Sequence, residues 1–188
     1  MTTRIDTAAC EPHPTAPRDA RDTDRTMPLA TVRTLAAGAH VGDLVFIRVP
    51  AGAPDATAGS AGTWANRFGI VVDTSGDEPL IAEPTVFAWT KLTPLSRFVA
   101  RADSGRIALA RRVAAASADA QRRIHALAEQ RIDALLGSRF DLRARRGFCA
   151  QYVTDVLGAG HAATPSTLLR GGTLALEFDG IVFDPRHP

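Results

Sequence analysis

Cys149 is the residue whose type and position best suit chemistry. A stripe of side chains at helical spacing predicts a helix from Cys149 to Leu157, formed by Cys149, Tyr152, Val153, Val156 and Leu157. This helix places the thiol in its first turn, where unpaired backbone N–H groups favour the thiolate and can donate to an oxyanion. Four basic residues precede it within ten positions: Arg139, Arg143, Arg145 and Arg146. The chemistry indicated is nucleophilic attack on an acyl carbon.

Another interpretation of Cys149 is a buried and unreactive core residue, since free cysteines are among the most buried residue types. Spacing alone favours that interpretation. Motifs for other chemistries are missing from the sequence, which has no P-loop, no GxGxxG and no zinc-ligand spacing of Cys and His. We therefore expect no metal and no cofactor.

The elements that must position Cys149 are mostly β-strands followed by helices, which indicates an α+β fold. Apolar runs bounded by Gly and Pro predict strands at Leu44–Val49, Arg67–Asp73, Leu80–Glu83, Val86–Leu92 and Arg106–Ala110. Thr93-Pro94 predicts the start of a short helix. A period of three and four from Ser117 to Gly137 predicts a long helix with Ser117 as its N-cap. Asp179-Gly180 predicts a two-residue hairpin turn between strands 174–178 and 181–183.

Length and composition indicate one globular domain, because 188 residues with 45% hydrophobic and 22% charged residues can bury a single core. Residues 1–28 are rich in Pro, Thr and charge and predict a disordered tail before a domain at 29–188. Pro50 to Gly62 predicts a surface loop.

Net charge and cysteine content limit which binding partners and which cellular compartment we expect. A net charge of +2 argues against a dedicated nucleic-acid binder. Two cysteines cannot build a disulfide framework, and no apolar run has membrane-spanning length, so we expect a cytoplasmic protein with no integral membrane association. The oligomeric state is not indicated.

The order of these segments resembles the circularly permuted papain-like hydrolases of the NlpC superfamily, in particular the YiiX- and YebB-like branch. The resemblance covers about residues 40 to 158 and rests on five motifs: Gly42-Asp43-Leu44-Val45-Phe46, Trp64-Ala65-Asn66-Arg67-Phe68-Gly69-Ile70-Val71-Val72, Ala82-Glu83, Thr93-Pro94-Leu95-Ser96-Arg97-Phe98 and Phe148-Cys149-Ala150-Gln151-Tyr152-Val153. It implies a bacterial protein with a permuted papain-like fold, in which a small antiparallel sheet or half-barrel packs against helices.

The resemblance also implies site residues. Cys149 matches the family nucleophile, Glu83 matches the acidic position, and Arg67 stands where the family has its catalytic His. A guanidinium cannot accept a proton near neutral pH, so Arg67 cannot act as general base. It could instead hold Cys149 as a thiolate by its charge.

Further residues follow from these positions. Asn66, Phe68, Gln151 and Tyr152 flank them, and we expect these four to contact the substrate. Gln151 stands where many relatives have Glu. No His matches the family position, although His161 is the nearest in sequence to Cys149.

Two functions remain open, beside the possibility of a scaffold protein with no site at all. The first is a thiol-dependent hydrolase or acyltransferase acting on an amide, ester or thioester of a small-molecule, lipid or peptide-like substrate. The missing His would impair it, because leaving-group protonation and deacylation both need an acid or base. The second is an inactive papain-like domain that binds a lipid, acyl or cell-wall-type ligand, with Arg67 supplying a fixed positive charge.

Overall fold

The structure is a computed structural model that describes residues 29–50, 64–85, 88–137, 145–160 and 163–181. The predicted tail lies outside the described residues, as does all of the predicted loop except Pro50. The helices and strands are, in chain order, α1 (Leu29–Gly38), β1 (Leu44–Ile47), β2 (Arg67–Asp73), β3 (Leu80–Pro84), β4 (Thr90–Pro94), α2 (Leu95–Val99), β5 (Arg106–Arg112), α3 (Ala118–Gly137), α4 (Phe148–Asp155), α5 (Pro165–Arg170) and β6 (Leu174–Ile181).

The six strands form one antiparallel sheet in the order β4-β3-β2-β1-β5-β6. β1 lies at its centre, with Leu44 opposite both Ile70 of β2 and Ala110 of β5. Together with the helices this sheet gives the α+β architecture expected for a permuted papain-like fold. None of the helices in the described ranges is long and apolar enough to cross a membrane.

Side-chain alternation divides the core into two layers, one on each face of the sheet. On the first, which we call the α3/α4 face, residues of the central strands pack against helices α3 and α4; its buried members include Phe46, Phe68, Ile70, Ala82, Leu135, Cys149 and Tyr152. On the second, the α1/α2 face, the intervening strand residues pack against α1 and α2; its members include Leu35, Ile47, Val71, Ile81, Phe98 and Leu109. Each large side chain buried in either layer contributes about 1.5–3 kcal/mol to stability.

A group of charged residues centred on Arg111 joins the first helix to the last strand. The buried carboxylate of Asp43 accepts hydrogen bonds from the His40 backbone N–H at 2.8 Å and from Nε and Nη2 of Arg111 at 2.9 and 2.8 Å. Arg111 also donates to the Gly38 carbonyl at the end of α1, and its Nη1 lies 3.6 Å from Glu177 of β6. One guanidinium on β5 therefore connects α1, the start of β1 and β6.

Most predicted elements are confirmed. β2 coincides with its prediction, and β1, β3 and β5 differ from theirs only at an end. The long helix begins after Ser117, whose hydroxyl accepts the Ala120 N–H at 3.2 Å as an N-cap does. The predicted Cys149 helix begins one residue earlier, at Phe148.

Two predictions differ from the structure. β4 begins at Thr90 rather than Val86, because Thr90 pairs with Pro84, the last residue of β3; Val86 and Phe87 lie outside the described residues. The predicted hairpin at Asp179-Gly180 is wrong. Both residues lie inside β6 and pair with Ala108 and Ile107 of β5, so a long strand pairing overrides the local turn preference.

Two helices were not predicted. α1 precedes the first strand, and α5 begins with Pro165 behind a capping box in which Thr164 and Thr167 exchange side-chain and backbone hydrogen bonds. The Thr164-Pro165 pair is the sequence signal that could have identified α5.

Candidate active site

The Cys149 side chain lies between helix α4 and the sheet. Gly147 precedes the helix in the left-handed conformation, with φ of 76°, and Cys149 is the second helical residue. Its Sγ donates to the Ala82 carbonyl of β3 at 3.7 Å and lies 3.7 Å from Oγ1 of Thr90. Only 3% of the residue is exposed, so the thiol is enclosed on both sides.

The enclosure suppresses ionisation of this thiol. Burial raises the pKa of Cys149 to about 12, the negative charge of Glu83 adds to the rise, and the hydrogen bond with Thr90 offsets part of it. This rise in pKa is opposite to the expectation from the sequence, in which the helix N-terminus and Arg67 lower the pKa of Cys149 and favour its thiolate. At neutral pH Cys149 is a thiol and not a nucleophilic thiolate.

Glu83 is fully buried at the centre of a group of cations. Arg67 donates to its Oε2 from Nε at 3.2 Å and from Nη2 at 2.9 Å, and Arg101 donates to the same oxygen at 2.7 Å. Thr93 donates to Oε1 at 2.5 Å, and Nζ of Lys91 lies 4.0 Å from that oxygen. Burial alone would raise the pKa of Glu83, but the hydrogen bonds from Thr93 and Arg101 and the charges of Arg101 and Arg67 lower it below its ordinary value.

The alternation of side chains separates this ion pair from the thiol. Arg67 lies directly opposite Ile47, a member of the α1/α2 core, so Arg67 projects from that face. Ala82 belongs to the α3/α4 core together with Cys149, and Glu83, the next residue of β3, therefore projects from the other face. Arg67 and Glu83 contact each other, but neither lies on the face that holds Cys149.

Asn66 and Phe68, both expected to contact substrate, make structural contacts. The Asn66 amide accepts the Val49 N–H at 2.8 Å and donates to the Val49 carbonyl at 2.9 Å, which extends the pairing between the two chain segments beyond β1. Phe68 is 8% exposed, and its ring centroid lies 6.3 Å from that of Phe46 within the core.

Gln151 and Tyr152 lie on different sides of α4. Gln151 is exposed and accepts a hydrogen bond from Arg131 of α3 at 3.2 Å. Tyr152 is 1% exposed, with its ring centroid 5.7 Å from that of Phe148. Burial, with the nearby charge of Asp43, raises the pKa of Tyr152 to about 12.

The imidazoles of the described residues do not reach the thiol. His40 is exposed beside Asp43, and His125 is exposed on α3, where it lies 3.2 Å from Glu129. His13, His161 and His187 lie outside the described residues. Within the described ranges, no group of three or more His, Cys, Asp and Glu side chains is arranged to hold a metal ion.

Sequence reasoning missed Thr90 and the contact of Arg101 with Glu83, although pairing of Glu83 with an arginine was one of its alternatives. Thr90 fell inside a predicted strand, where nothing distinguished it from its neighbours. Arg101 follows α2, and its approach to Glu83 depends on how that helix packs on the sheet. Such long-range contacts leave no local pattern in the sequence.

Comparison with known proteins identifies a family and a similar solved structure. The family model described as permuted papain-like amidase enzyme, YaeF/YiiX, matches residues 38–171. A crystal structure described as the metalloprotein yiiX from Escherichia coli O157:H7 is 14% identical, covering 76% of this chain and 98% of that chain with a TM-score of 0.42. Among curated proteins, none matches this chain significantly.

Proposed function

We propose, on the premise that this chain belongs to the YaeF/YiiX family of permuted papain-like amidases, that it is a thiol hydrolase of amide-type bonds with impaired turnover. Cys149 is its nucleophile. It is the only cysteine within the matched residues 38–171, since the other cysteine of the sequence is Cys10.

The position of Cys149 in the first turn of α4 carries this proposal. The helix is packed on the sheet, and the thiol adjoins β3, so an acyl group at the helix N-terminus would meet the sulfur once the enclosure around Cys149 opens. The Cys149 backbone N–H is our candidate oxyanion donor for the tetrahedral intermediate. The thiol loses its proton to water, the thiolate attacks the acyl carbon and the bond to the leaving group breaks, with the leaving group taking its proton from solvent. A water molecule then attacks the thioester, which releases the acid and leaves its proton to regenerate the thiol.

The impairment has two causes. Because burial raises the pKa of Cys149 to about 12, the residue is almost entirely a thiol at neutral pH. In addition, Arg67 cannot take or return a proton, and it projects from the opposite face of the sheet. Esters and thioesters, whose leaving groups need no protonation, would be hydrolysed more readily than amides.

The remaining expected site residues take supporting roles in this proposal. Arg67 and Glu83 hold β2 to β3 and to the end of α2 through Arg101, and they position the sheet rather than contact substrate. Asn66 and Phe68 likewise support the sheet at β1 and β2.

A second candidate is a catalytically silent domain that binds a lipid, acyl or cell-wall-type ligand. The separation of Cys149 from the Arg67–Glu83 pair favours it, since the fold then retains the thiol without the ionic partners that would activate it.

Hydrolysis of matched acyl compounds distinguishes the two candidates. We expect the full chain to cleave an aryl thioester and an aryl ester slowly, with an acyl adduct on Cys149 visible by intact mass, and an anilide at least about 100-fold more slowly. Cys149→Ala should abolish cleavage and adduct, whereas Cys10→Ser should retain both. Cleavage that is undetectable, or is unchanged in Cys149→Ala, would exclude the hydrolase and leave the silent domain.

A further inference from the structure

A short segment that ends at Thr90, the first residue of β4, is fastened to the start of helix α4. We call this segment, Ala88–Thr90, the strap. The Gly147 N–H donates to the Ala88 carbonyl at 2.7 Å, and Trp89 forms an antiparallel bridge with Arg146. Two backbone contacts therefore join the strap to the residues immediately before Phe148.

The strap encloses the candidate nucleophile. Thr90 is 5% exposed, and its Oγ1 lies 3.7 Å from the Cys149 Sγ. On its other side the sulfur contacts the Ala82 carbonyl of β3. The thiol is thus held between the strap on one side and β3 on the other.

The closed position of the strap carries a local cost. Ala88 has φ of 60° and is the one described non-glycine residue with positive φ. The left-handed region disfavours a residue with a Cβ by about 5- to 30-fold. The indole of Trp89 is 37% exposed, and the Trp89 carbonyl accepts hydrogen bonds from the Thr85 N–H at 2.8 Å and from the Thr85 hydroxyl at 2.9 Å. A segment that carries backbone strain at Ala88 is the kind that opens locally without global unfolding.

We propose that the strap is an autoinhibitory element whose detachment from Arg146 and Gly147 exposes the Cys149 thiol to reagents and substrates. It rests on the proposed function in that Cys149 is the group being shielded. Detachment also releases the Gly147 N–H at the helix N-terminus, beside the place where a substrate acyl oxygen would lie. A substrate must then displace the strap before reaction, and one that binds the open form better raises its population.

Alkylation of Cys149 tests the strap without relying on hydrolysis. The probe is iodoacetamide on the full chain carrying Cys10→Ser, read by intact mass. Ala88→Gly removes the left-handed penalty and should slow labelling about threefold. Ala88→Val increases the penalty and should accelerate labelling at least about tenfold. The same two substitutions at Ala114, which is exposed and outside the helices and strands, should change the rate less than about twofold.

Denaturant dependence separates strap opening from global unfolding. We expect the labelling rate to be nearly flat in low urea, because a small local opening exposes little surface. A rate that follows the urea dependence of global unfolding, or that changes equally at positions 88 and 114, would overturn the proposal.

The outcomes also separate this inference from the proposed function. If labelling responds to the Ala88 variants as expected but no Cys149-dependent cleavage is found, the autoinhibitory role of the strap is supported and the hydrolase activity is refuted. If cleavage depends on Cys149 but neither Ala88 variant alters labelling, the hydrolase stands and the strap is refuted.

Discussion

Arg67 and Glu83 form an ion pair, with 2.9 Å between Nη2 and Oε2, on the face of the sheet opposite to Cys149. These are the three residues that the family resemblance implies as site residues, yet side-chain alternation places Cys149 on the other face of the sheet from the ion pair. Arg101, Thr93 and Lys91 surround the same carboxylate. The pair is therefore part of a buried ionic network under α2.

Arg67→His should not create an active Cys–His pair. The imidazole would lie on the α1/α2 face, so aryl ester hydrolysis should stay within about twofold of the parent rate. Loss of a buried partner of Glu83 should lower the free energy of unfolding by about 3 kcal/mol. Initial rates and urea unfolding check both expectations.

A large gain in ester hydrolysis by Arg67→His would contradict this geometry. Arg67→Lys is the matched control, since it keeps the positive charge without adding a group that titrates near neutral pH. It should match Arg67→His in rate.

The stability of the fold should depend on the ionisation of Glu83. Its folded pKa is lowered below the ordinary value of 4.5, so its contribution is present above pH 4.5 and is lost as pH falls through the folded pKa. Glu83→Gln should unfold at lower temperature than the parent protein at neutral pH, and the difference should shrink in acid. Thermal unfolding across this range measures the difference.

Asp133→Asn provides the control for this pH dependence, because Asp133 is exposed on α3. It should show a small difference from the parent at every pH. A Glu83→Gln difference that stays constant into acid would mean that the network does not depend on the carboxylate charge.

Alkylation of Cys149 should rise steeply with pH in the folded protein. With the thiol pKa raised to about 12 by burial, the closed form should label negligibly at neutral pH, and labelling through strap opening should rise with pH until a free thiol levels off near 8.5. Labelling of Cys149→Ser gives the background from Cys10. A plateau near neutral pH would show an activated thiolate instead.

Gly42→Ala should destabilise the fold more than an equivalent change at another left-handed glycine. A Cβ at Gly42 would lie 2.8 Å from the Tyr152 hydroxyl, and its φ is +94°, whereas Gly172 has φ of +70° and no heavy atom within 4 Å of a Cβ. We expect losses of about 2–3 kcal/mol for Gly42→Ala and about 1 kcal/mol for Gly172→Ala by urea unfolding.

Tyr152→Phe should reduce the cost of Gly42→Ala to about 1 kcal/mol, because it removes the oxygen that the new methyl group meets. Equal losses of stability at Gly42 and Gly172, or a Gly42→Ala loss that Tyr152→Phe does not change, would show that helix α4 moves to accommodate the methyl group.

The sequence was informative where structure depends on nearby residues. The apolar run and flanking turn of β2 and the Ser117 cap of α3 are local patterns, and the structure contains both. The Asp179-Gly180 signal failed because pairing with β5 outweighs a two-residue turn preference.

The arrangement around Cys149 depended on information that motif order does not contain. Whether Arg67 and Cys149 share a face is set by strand register and by which face each helix covers. The enclosure by Thr90 similarly depends on a contact between residues 59 positions apart. Motif matching therefore identified a fold and a candidate nucleophile, but not the surroundings that determine the reactivity of the thiol.

The Arg111 guanidinium connects the end of α1 with β6, two segments that are far apart in the sequence. Because it contacts Asp43, the Gly38 carbonyl and Glu177, shortening β6 would also remove one partner of the guanidinium that holds the end of α1. Proteolysis or a bulky fusion at β6 would consequently loosen a helix more than 130 residues earlier in the sequence. Deletions made to trim this protein for crystallisation should stop short of Leu174.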